Sequence, residues 1–207
     1  MAINYGMHRL AGSIGNETHY IDPRTGKEVV RRKKPTKVRN PRSDKQREHR
    51  NHFLDIVHLS SKMREAYDIG LKNSSEKKLL YPYTYFRKLN KDCFTADGAI
   101  DYSALTLSYG TLSAPKVDNL TVSADGTLQL SFSTTSDVTR SSMLYLYAYS
   151  EAAEAGWLAE PTPCTSGVLV AQLPDYLRNQ ALHVYLFFVT PRGKASPTSY
   201  HHVAAPC

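Results

Sequence analysis

Four potential metal ligands recur at every third position in one stretch of the chain: His49, His52, Asp55 and His58. Imidazole and carboxylate groups are both accepted by zinc in protein sites. On an α-helix, however, a step of three residues turns each side chain back by about 60° from the one before, so at most one adjacent pair can share an ion. The spacing favours solvated or phosphate-facing histidines over a metal centre, and we expect neither a metal nor any other cofactor.

Covalent catalysis has no support in the sequence. The chain contains no G-x-S-x-G motif, no paired acidic motif and no cysteine in the context of a known nucleophile. The acids Asp22, Asp44 and Asp101 stand where turn and cap residues are expected. His201 and His202 are neighbours on a predicted strand and would point to opposite faces. We therefore expect a protein that is not an enzyme.

The three cysteines, Cys93, Cys164 and Cys207, are odd in number and lack C-x-x-C spacing. They indicate neither a disulfide framework nor a zinc site, so we expect reduced thiols. Residues 1–15 contain no apolar run of the kind that an export signal needs, and no later stretch approaches about 18 consecutive apolar residues. We expect no membrane association, and a location in the cytoplasm or within a virion assembled there.

The strongest chemical signal is a basic stretch from Arg24 to Arg50, in which twelve Lys or Arg side chains stand against three acids, a balance of 12 − 3 = +9. The formal charge of the whole chain is +7, so the other residues sum to +7 − 9 = −2. Such a block repels itself and is typical of an interaction arm that neutralises phosphates or acidic subunits. The alternative is a solvated charged face. The residues expected to bind a partner or phosphate are Arg24, Lys27, Arg31, Arg32, Lys33, Lys34, Lys37, Arg39, Arg42, Lys45, Arg47 and Arg50.

The first 42 residues are predicted to form an extended, glycine-rich basic arm. Gly6, Gly12 and Gly15 give it flexibility and allow tight turns or close approach to a partner. Within these 42 residues a candidate hairpin is predicted, with strands at residues 19–21 and 28–31 and turn residues between them.

Residues 43–96 are predicted to be helical. Ser43 and Gln46 form a capping box, and Gly70 is a candidate C-cap. The apolar stripe of the first helix is Phe53, Ile56, Val57, Ser60, Met63, Tyr67 and Leu71. A second helix is predicted over residues 83–92, with Phe86 and Leu89 inward. This helical hairpin is too small to be stable alone and should pack on something larger.

Residues 97–207 alternate between short β-rich runs and turn residues such as Asp125-Gly126 and Arg192-Gly193. Seven strands are predicted, at residues 105–107, 120–122, 128–132, 143–149, 168–173, 183–190 and 199–203. This number of short strands in about 100 residues indicates an immunoglobulin-like or fibronectin-like antiparallel β-sandwich. The fold class is therefore α+β.

The combination of these segments resembles a family of small uncharacterised proteins of the phylum Bacteroidetes. The residues that carry the resemblance are found at 12–16, 29–31, 40–42, 46–53, 100–103, 110–115 and 183–188. The resemblance implies a glycine-rich basic start, a helix, an Ig-like C-terminal domain and an association with phage or mobile elements. It implies no activity and no functional residues. Family members often carry a Trp shortly after the first glycine motif, where this chain has Glu17 to Ile21, so the arm would be anchored differently here.

These observations favour a non-enzymatic structural component of a large assembly, anchored by its basic arm. The assembly expected is a phage-like virion, in a capsid, portal-ring or tail-associated position. The partners expected are other protein subunits in a homo-oligomeric ring or shell, with nucleic acid as a further partner. The alternative is a non-specific DNA- or RNA-binding protein that uses the arm and the basic helix face. A surface adhesin would fit the sandwich but is opposed by the lack of an export signal.

Overall fold

The computed structural model describes residues 3–4, 10–33, 43–95 and 97–205. The chain divides into two compact units, residues 1–47 and 48–207. The first unit contains a four-stranded antiparallel sheet whose strands follow chain order. They are β1 (Ile3–Asn4), β2 (Leu10–Ile14), β3 (Glu17–Ile21) and β4 (Glu28–Arg32).

The hairpin predicted in the first unit is confirmed, since β3 pairs with β4 and Ile21 lies opposite Glu28. Gly15 lies in the tight turn before β3, at a φ of +54° that favours glycine. Residues 10–14, which belong to the predicted extended arm, form the strand β2 and pair with β3. The Gly15 turn brings β2 back alongside β3.

Within the described residues, four α-helices follow: α1 (Asp44–Lys62), α2 (Arg64–Gly70), α3 (Lys72–Lys77) and α4 (Pro82–Leu89). The capping box predicted at the start of α1 is confirmed. Ser43 Oγ accepts a hydrogen bond from the Gln46 amide at 3.3 Å, and Gln46 Oε1 accepts one from the Ser43 amide at 3.5 Å. The predicted start of the second helix, at residue 83, is one residue from the observed start of α4 at Pro82. Phe86, predicted to point inward, is fully buried.

The single long helix predicted from the apolar stripe is wrong in two respects. Helical geometry is interrupted at Met63, whose ψ is 12°, so α2 begins as a separate helix. The buried stripe starts at Ile56, and Phe53 is 53% exposed. Gly70 is not a C-cap. A Cβ at Gly70 would lie 2.5 Å from the Leu107 carbonyl oxygen, so glycine is required there for close approach of the two backbones.

The described part of the second unit also contains eight strands, all paired antiparallel. They are β5 (Lys116–Val122), β6 (Thr127–Ser133), β7 (Met143–Ser150), β8 (Ala155–Leu158), β9 (Thr162–Pro163), β10 (Val168–Gln172), β11 (Leu182–Val189) and β12 (Ser199–Val203). One sheet has the order β10-β6-β5. The other has the order β12-β11-β7-β8, with β9 also paired to β7.

This distribution of strands is that of an immunoglobulin-like or fibronectin-like sandwich, and the α+β fold class predicted from the sequence is confirmed. One predicted strand is wrong: residues 105–107 form no strand, although Leu105 and Leu107 are buried. Strand β8 has no counterpart in the sequence-based assignment. Cys93 and Cys164 are buried free thiols, and Cys207 lies outside the described residues.

The larger sheet is covered on both faces. One face packs on the smaller sheet through side chains that include Leu146, Val184 and Phe188. The other face packs on the helices through aromatic side chains that include Tyr147 and Phe187. Side chains alternate along a strand, so the continuous apolar run of β11 supplies both cores, as predicted for a central strand. Among the described residues, none of the helices is both long and apolar enough to cross a membrane.

Candidate binding surfaces

The structure describes eight of the twelve basic residues predicted to bind a partner. The predicted residues outside the described part of the chain are Lys34, Lys37, Arg39, Arg42 and the arm glycine Gly6. Arg24 and Lys27 lie in the turn between β3 and β4. Gly12, within β2, has a φ of +117°.

The basic residues of β4 are not gathered on one surface. Arg31 and Arg32 are both exposed but project from opposite faces of the sheet, because strand side chains alternate. The Arg31 guanidinium lies 5.3 Å from the ring centroid of Tyr20, within the range of a cation–π contact. Arg32 lies opposite Glu17. A dense run of charge in the sequence therefore becomes two separate cationic positions.

The Arg32 face of the sheet also carries acids that the sequence analysis did not single out. His19 Nε2 lies 3.6 Å from Glu17 Oε2, and His19 Nδ1 lies 3.4 Å from Glu28 Oε1. These carboxylates offset part of the charge on that face. Arg31, which shares its face with Tyr20, is therefore the cation of β4 better placed for an anionic partner.

The first two turns of α1 expose Lys45, Arg47 and Arg50. Arg47 Nη1 lies 3.6 Å from Asp44 Oδ1, but both side chains are highly exposed and the pair adds little stability. Within the described part of the chain, six of the predicted cations make no ion pair. They are Lys27, Arg31, Arg32, Lys33, Lys45 and Arg50.

Turn and cap roles are confirmed for the acids predicted to be structural. Asp22 accepts hydrogen bonds from the Arg24 amide at 2.9 Å and the Thr25 hydroxyl at 3.0 Å, and these bonds lower the pKa of its carboxyl. Asp101 accepts from the hydroxyl and amide of Ser103, which lowers the pKa of Asp101 in the same way. Asp44 lies in the first turn of α1.

The evenly spaced histidines of α1 have separate environments. The His52 ring stacks on Phe94 with centroids 4.0 Å apart. His58 lines a shallow cleft of about 260 Å³ together with Asp55 and Tyr102. No group of three or more His, Cys, Asp or Glu side chains in the described ranges is placed to hold a metal ion.

A surface that the sequence analysis missed is an open cleft of about 840 Å³ in the helical layer, here called the tyrosine cleft. Its lining includes Ser60, Arg64, Lys72, Tyr81, Tyr83 and Arg87. The rings of Tyr81 and Tyr83 stack with centroids 5.7 Å apart and planes 14° apart. The Arg87 guanidinium lies 5.1 Å from the Tyr83 centroid, and its Nε and Nη2 donate to Ser60 Oγ at 3.2 and 3.1 Å.

A second aromatic cluster surrounds His183 on β11. Its Nδ1 lies 2.9 Å from the Tyr200 hydroxyl, and its ring stacks on Tyr102 at 4.3 Å. The His202 ring lies 5.4 Å away. Burial lowers the pKa of His183, and the nearby His202 lowers it further. The His201 pKa is also lowered by burial.

The free energy of unfolding is expected to fall as the pH drops below about 6.5, the ordinary pKa of histidine. The pKa values of His183 and His201 are lowered in the folded chain, so the unfolded chain binds more protons at these residues there and protonation favours unfolding. Urea unfolding measured at several pH values between about 7.5 and 5 tests this sign. The H183Q/H201Q variant should show a flatter dependence. An unchanged slope in that variant would contradict the assignment.

Residues 21–201 match the model of a family of unknown function, DUF6266. The chain belongs to DUF6266. The DUF6266 match begins at the end of β3 and ends within β12, so it includes all four helices and the sandwich, whereas Gly6, Gly12 and Gly15 precede it. The resemblance to an uncharacterised family is confirmed at this level.

No curated protein matches the DUF6266 chain. Among solved structures, it is similar to the fibronectin type-III domain of human fibronectin type III domain containing protein 3, with 14% sequence identity and a TM-score of 0.34. That similarity covers 48% of this chain and 94% of the human domain.

Proposed function

We propose that this protein is a non-enzymatic structural component of a larger assembly. The second unit, residues 48–207, serves as a rigid module. The first unit attaches the protein to the neighbouring subunits of the assembly through exposed cations. The observation that carries this proposal is that, within the described part of the first unit, five exposed cations make no ion pair: Lys27, Arg31, Arg32, Lys33 and Lys45. An acidic neighbour would supply the missing counter-charges.

The assembly we favour is a phage-like virion formed in the cytoplasm, with the protein in a capsid, portal-ring or tail-associated position. Copies of this chain in a ring or shell are the partners we favour. The Bacteroidetes origin and mobile-element association implied by the sequence resemblance belong to this proposal. A module whose larger sheet is buried on both faces supports it, because such a module can keep its shape while bearing lateral contacts.

A second candidate function is non-specific binding of DNA or RNA by the same cations. The specific observation that favours it is the position of Arg31 beside the Tyr20 ring on the less acidic face of the first sheet. Binding of this type depends on phosphate charge and weakens steeply with salt.

The R31Q/R32Q/K33Q variant is expected to lose higher-order assembly, because it removes three cations of the docking unit without touching the second unit. Analytical ultracentrifugation of the purified full chain measures this loss. A control variant with equal charge change, K116Q/R140Q/K194Q, alters exposed cations of the sandwich and should assemble normally.

Binding of a short DNA duplex, measured against salt, separates the two candidates. If the second candidate holds, the log–log slope of the R31Q/R32Q/K33Q variant should be smaller in magnitude by about 3. A chain that stays monomeric and ignores duplex DNA would overturn both candidates. Equal assembly by the R31Q/R32Q/K33Q chain and its control would overturn the docking role of β4.

A further inference from the structure

The tyrosine cleft presents a ready stack of aromatic groups. Tyr81 is 46% exposed and Tyr83 is 44% exposed, although their rings are already aligned with each other. The Arg87 guanidinium extends the series on Tyr83. Aligned and partly exposed rings are the feature on which proteins stack the bases of single-stranded nucleic acids, and this stacking tolerates any base.

Arg87 is held in a fixed orientation with one edge unused. Its Nε and Nη2 both donate to Ser60 Oγ, and Ser60 is itself buried and donates to the Val57 carbonyl at 2.7 Å. A guanidinium carries five N–H donors in a planar fork, so the Nη1 side remains available. No acid within the described ranges forms an ion pair with Arg87. A phosphate can be bound there by two parallel N–H donors.

The charge around the cleft suits an anionic ligand. Residues 72–91, which include α3 and α4, carry six Lys or Arg against one acid, a balance of 6 − 1 = +5. Two acids line the cleft. Asp68 is paired with Arg64 at 3.1 Å, so the remaining charges of the lining are one acid, Glu76, and two cations, Lys72 and Arg87.

We propose that the tyrosine cleft binds single-stranded nucleic acid, with a base stacked on the Tyr81–Tyr83 pair and a phosphate held by Arg87 and Lys72. The bases of a duplex are already stacked and paired, so a duplex cannot use the tyrosines. An acidic peptide could use the cations but offers no base to the rings. This site lies in the second unit and is distinct from the β4 cations of the proposed function.

The test is fluorescence anisotropy of the full-length protein with labelled oligomers of about 15 deoxythymidines or uridines, near the upper end of the about 4–16 nucleotides that a single-strand-binding OB fold covers. A duplex of equal length and a polyglutamate peptide serve as competitors. The Y81L/Y83L variant should bind both single strands at least about fivefold more weakly for each stacked base lost. The R87Q variant should reduce the magnitude of the log–log salt slope by about 0.7, the value of one phosphate on a single strand.

Matched controls remove charge or aromatic area elsewhere. Y176L removes a tyrosine of similar exposure beside the sandwich, and K116Q removes an exposed cation of β5; both should bind as the unaltered chain does. Urea unfolding of each variant confirms that it is folded. In the R31Q/R32Q/K33Q background, the added Y81L/Y83L substitutions should weaken binding of the single strands by the same factor as in the unaltered chain.

Three outcomes would overturn the proposal. The first is equal affinity of the Y81L/Y83L and Y176L variants for the single strands. The second is a preference for the duplex, which would exclude base stacking. The third is competition by polyglutamate as strong as by unlabelled deoxythymidine oligomer, which would indicate an acidic protein partner instead.

Discussion

Truncation of Phe187 to alanine is expected to lower the free energy of unfolding by about 3–5 kcal/mol. Phe187 is fully buried on the face of the larger sheet that the helices cover, and its ring stacks on Tyr145 with centroids 5.6 Å apart. Removal of the ring loses its transfer free energy and leaves a cavity that helices and sheet on either side can only partly close. Urea or guanidinium unfolding, followed by far-UV circular dichroism and by Trp157 fluorescence, measures the change.

Two control variants help to interpret the F187A result. V170A alters a side chain that is 64% exposed and should change the free energy of unfolding by less than about 0.5 kcal/mol. F188A removes the neighbouring ring from the opposite face of β11, inside the sandwich, and should cost as much as F187A. A loss below about 1 kcal/mol for F187A alone would show that the helical layer is not packed on the sheet as described.

The N90A variant is expected to lose about 2–5 kcal/mol, because Asn90 is fully buried and joins the end of α4 to a distant loop. Its Nδ2 donates to the Phe86 carbonyl at 2.9 Å and to the Thr106 carbonyl at 3.0 Å. Its Oδ1 accepts from the Thr106 amide at 2.7 Å. Alanine leaves the partly buried backbone amide and carbonyl of Thr106 without these bonds, and polar groups shielded from water without a partner are costly.

Amide hydrogen exchange gives this prediction a local readout. The Thr106 amide should exchange faster in N90A, in addition to the fall in the midpoint of urea unfolding. N119A changes an exposed asparagine of β5 and should leave both quantities nearly unchanged. Unaltered protection of Thr106 in N90A would mean that its amide is held by other groups.

Elements with local signals could be predicted from the sequence. The capping box of Ser43 and Gln46, the turn at Asp22 and the apolar run of β11 each depend on residues close together in the chain. Their physical causes, satisfied amides and burial on two faces, do not require knowledge of the rest of the fold. The α+β sandwich follows from such signals taken together.

Other elements depend on packing that the sequence does not reveal. Phe53 lies on the same apolar stripe as Ile56 but is exposed. The periodicity of a helix does not show how far the surface on which the helix packs extends along it. α3 is polar throughout, and β8 is a short strand that contains a glycine, so neither has a strong pattern of its own.

The tyrosine cleft is beyond sequence reasoning for the same reason. Ser60 and Arg87 are 27 residues apart, and only tertiary packing brings their hydrogen bonds together. The positive charge of the residues in β4 could be predicted from the sequence. The placement of Arg31 and Arg32 on opposite faces could not, because the predicted strand ended at Arg31 and the observed strand includes Arg32.

The two-sided burial of the larger sheet has a consequence for synthesis on the ribosome. The helices emerge before β11, which carries Phe187 and Tyr185 against them and begins about ninety residues after the end of α4. At about 5–20 residues per second, the apolar face of α4 waits roughly 5–20 s for the surface that covers it, and those of α1 and α2 wait longer. During that interval the nascent chain is a natural client for chaperones, and slow codons downstream of α4 would prolong its exposure.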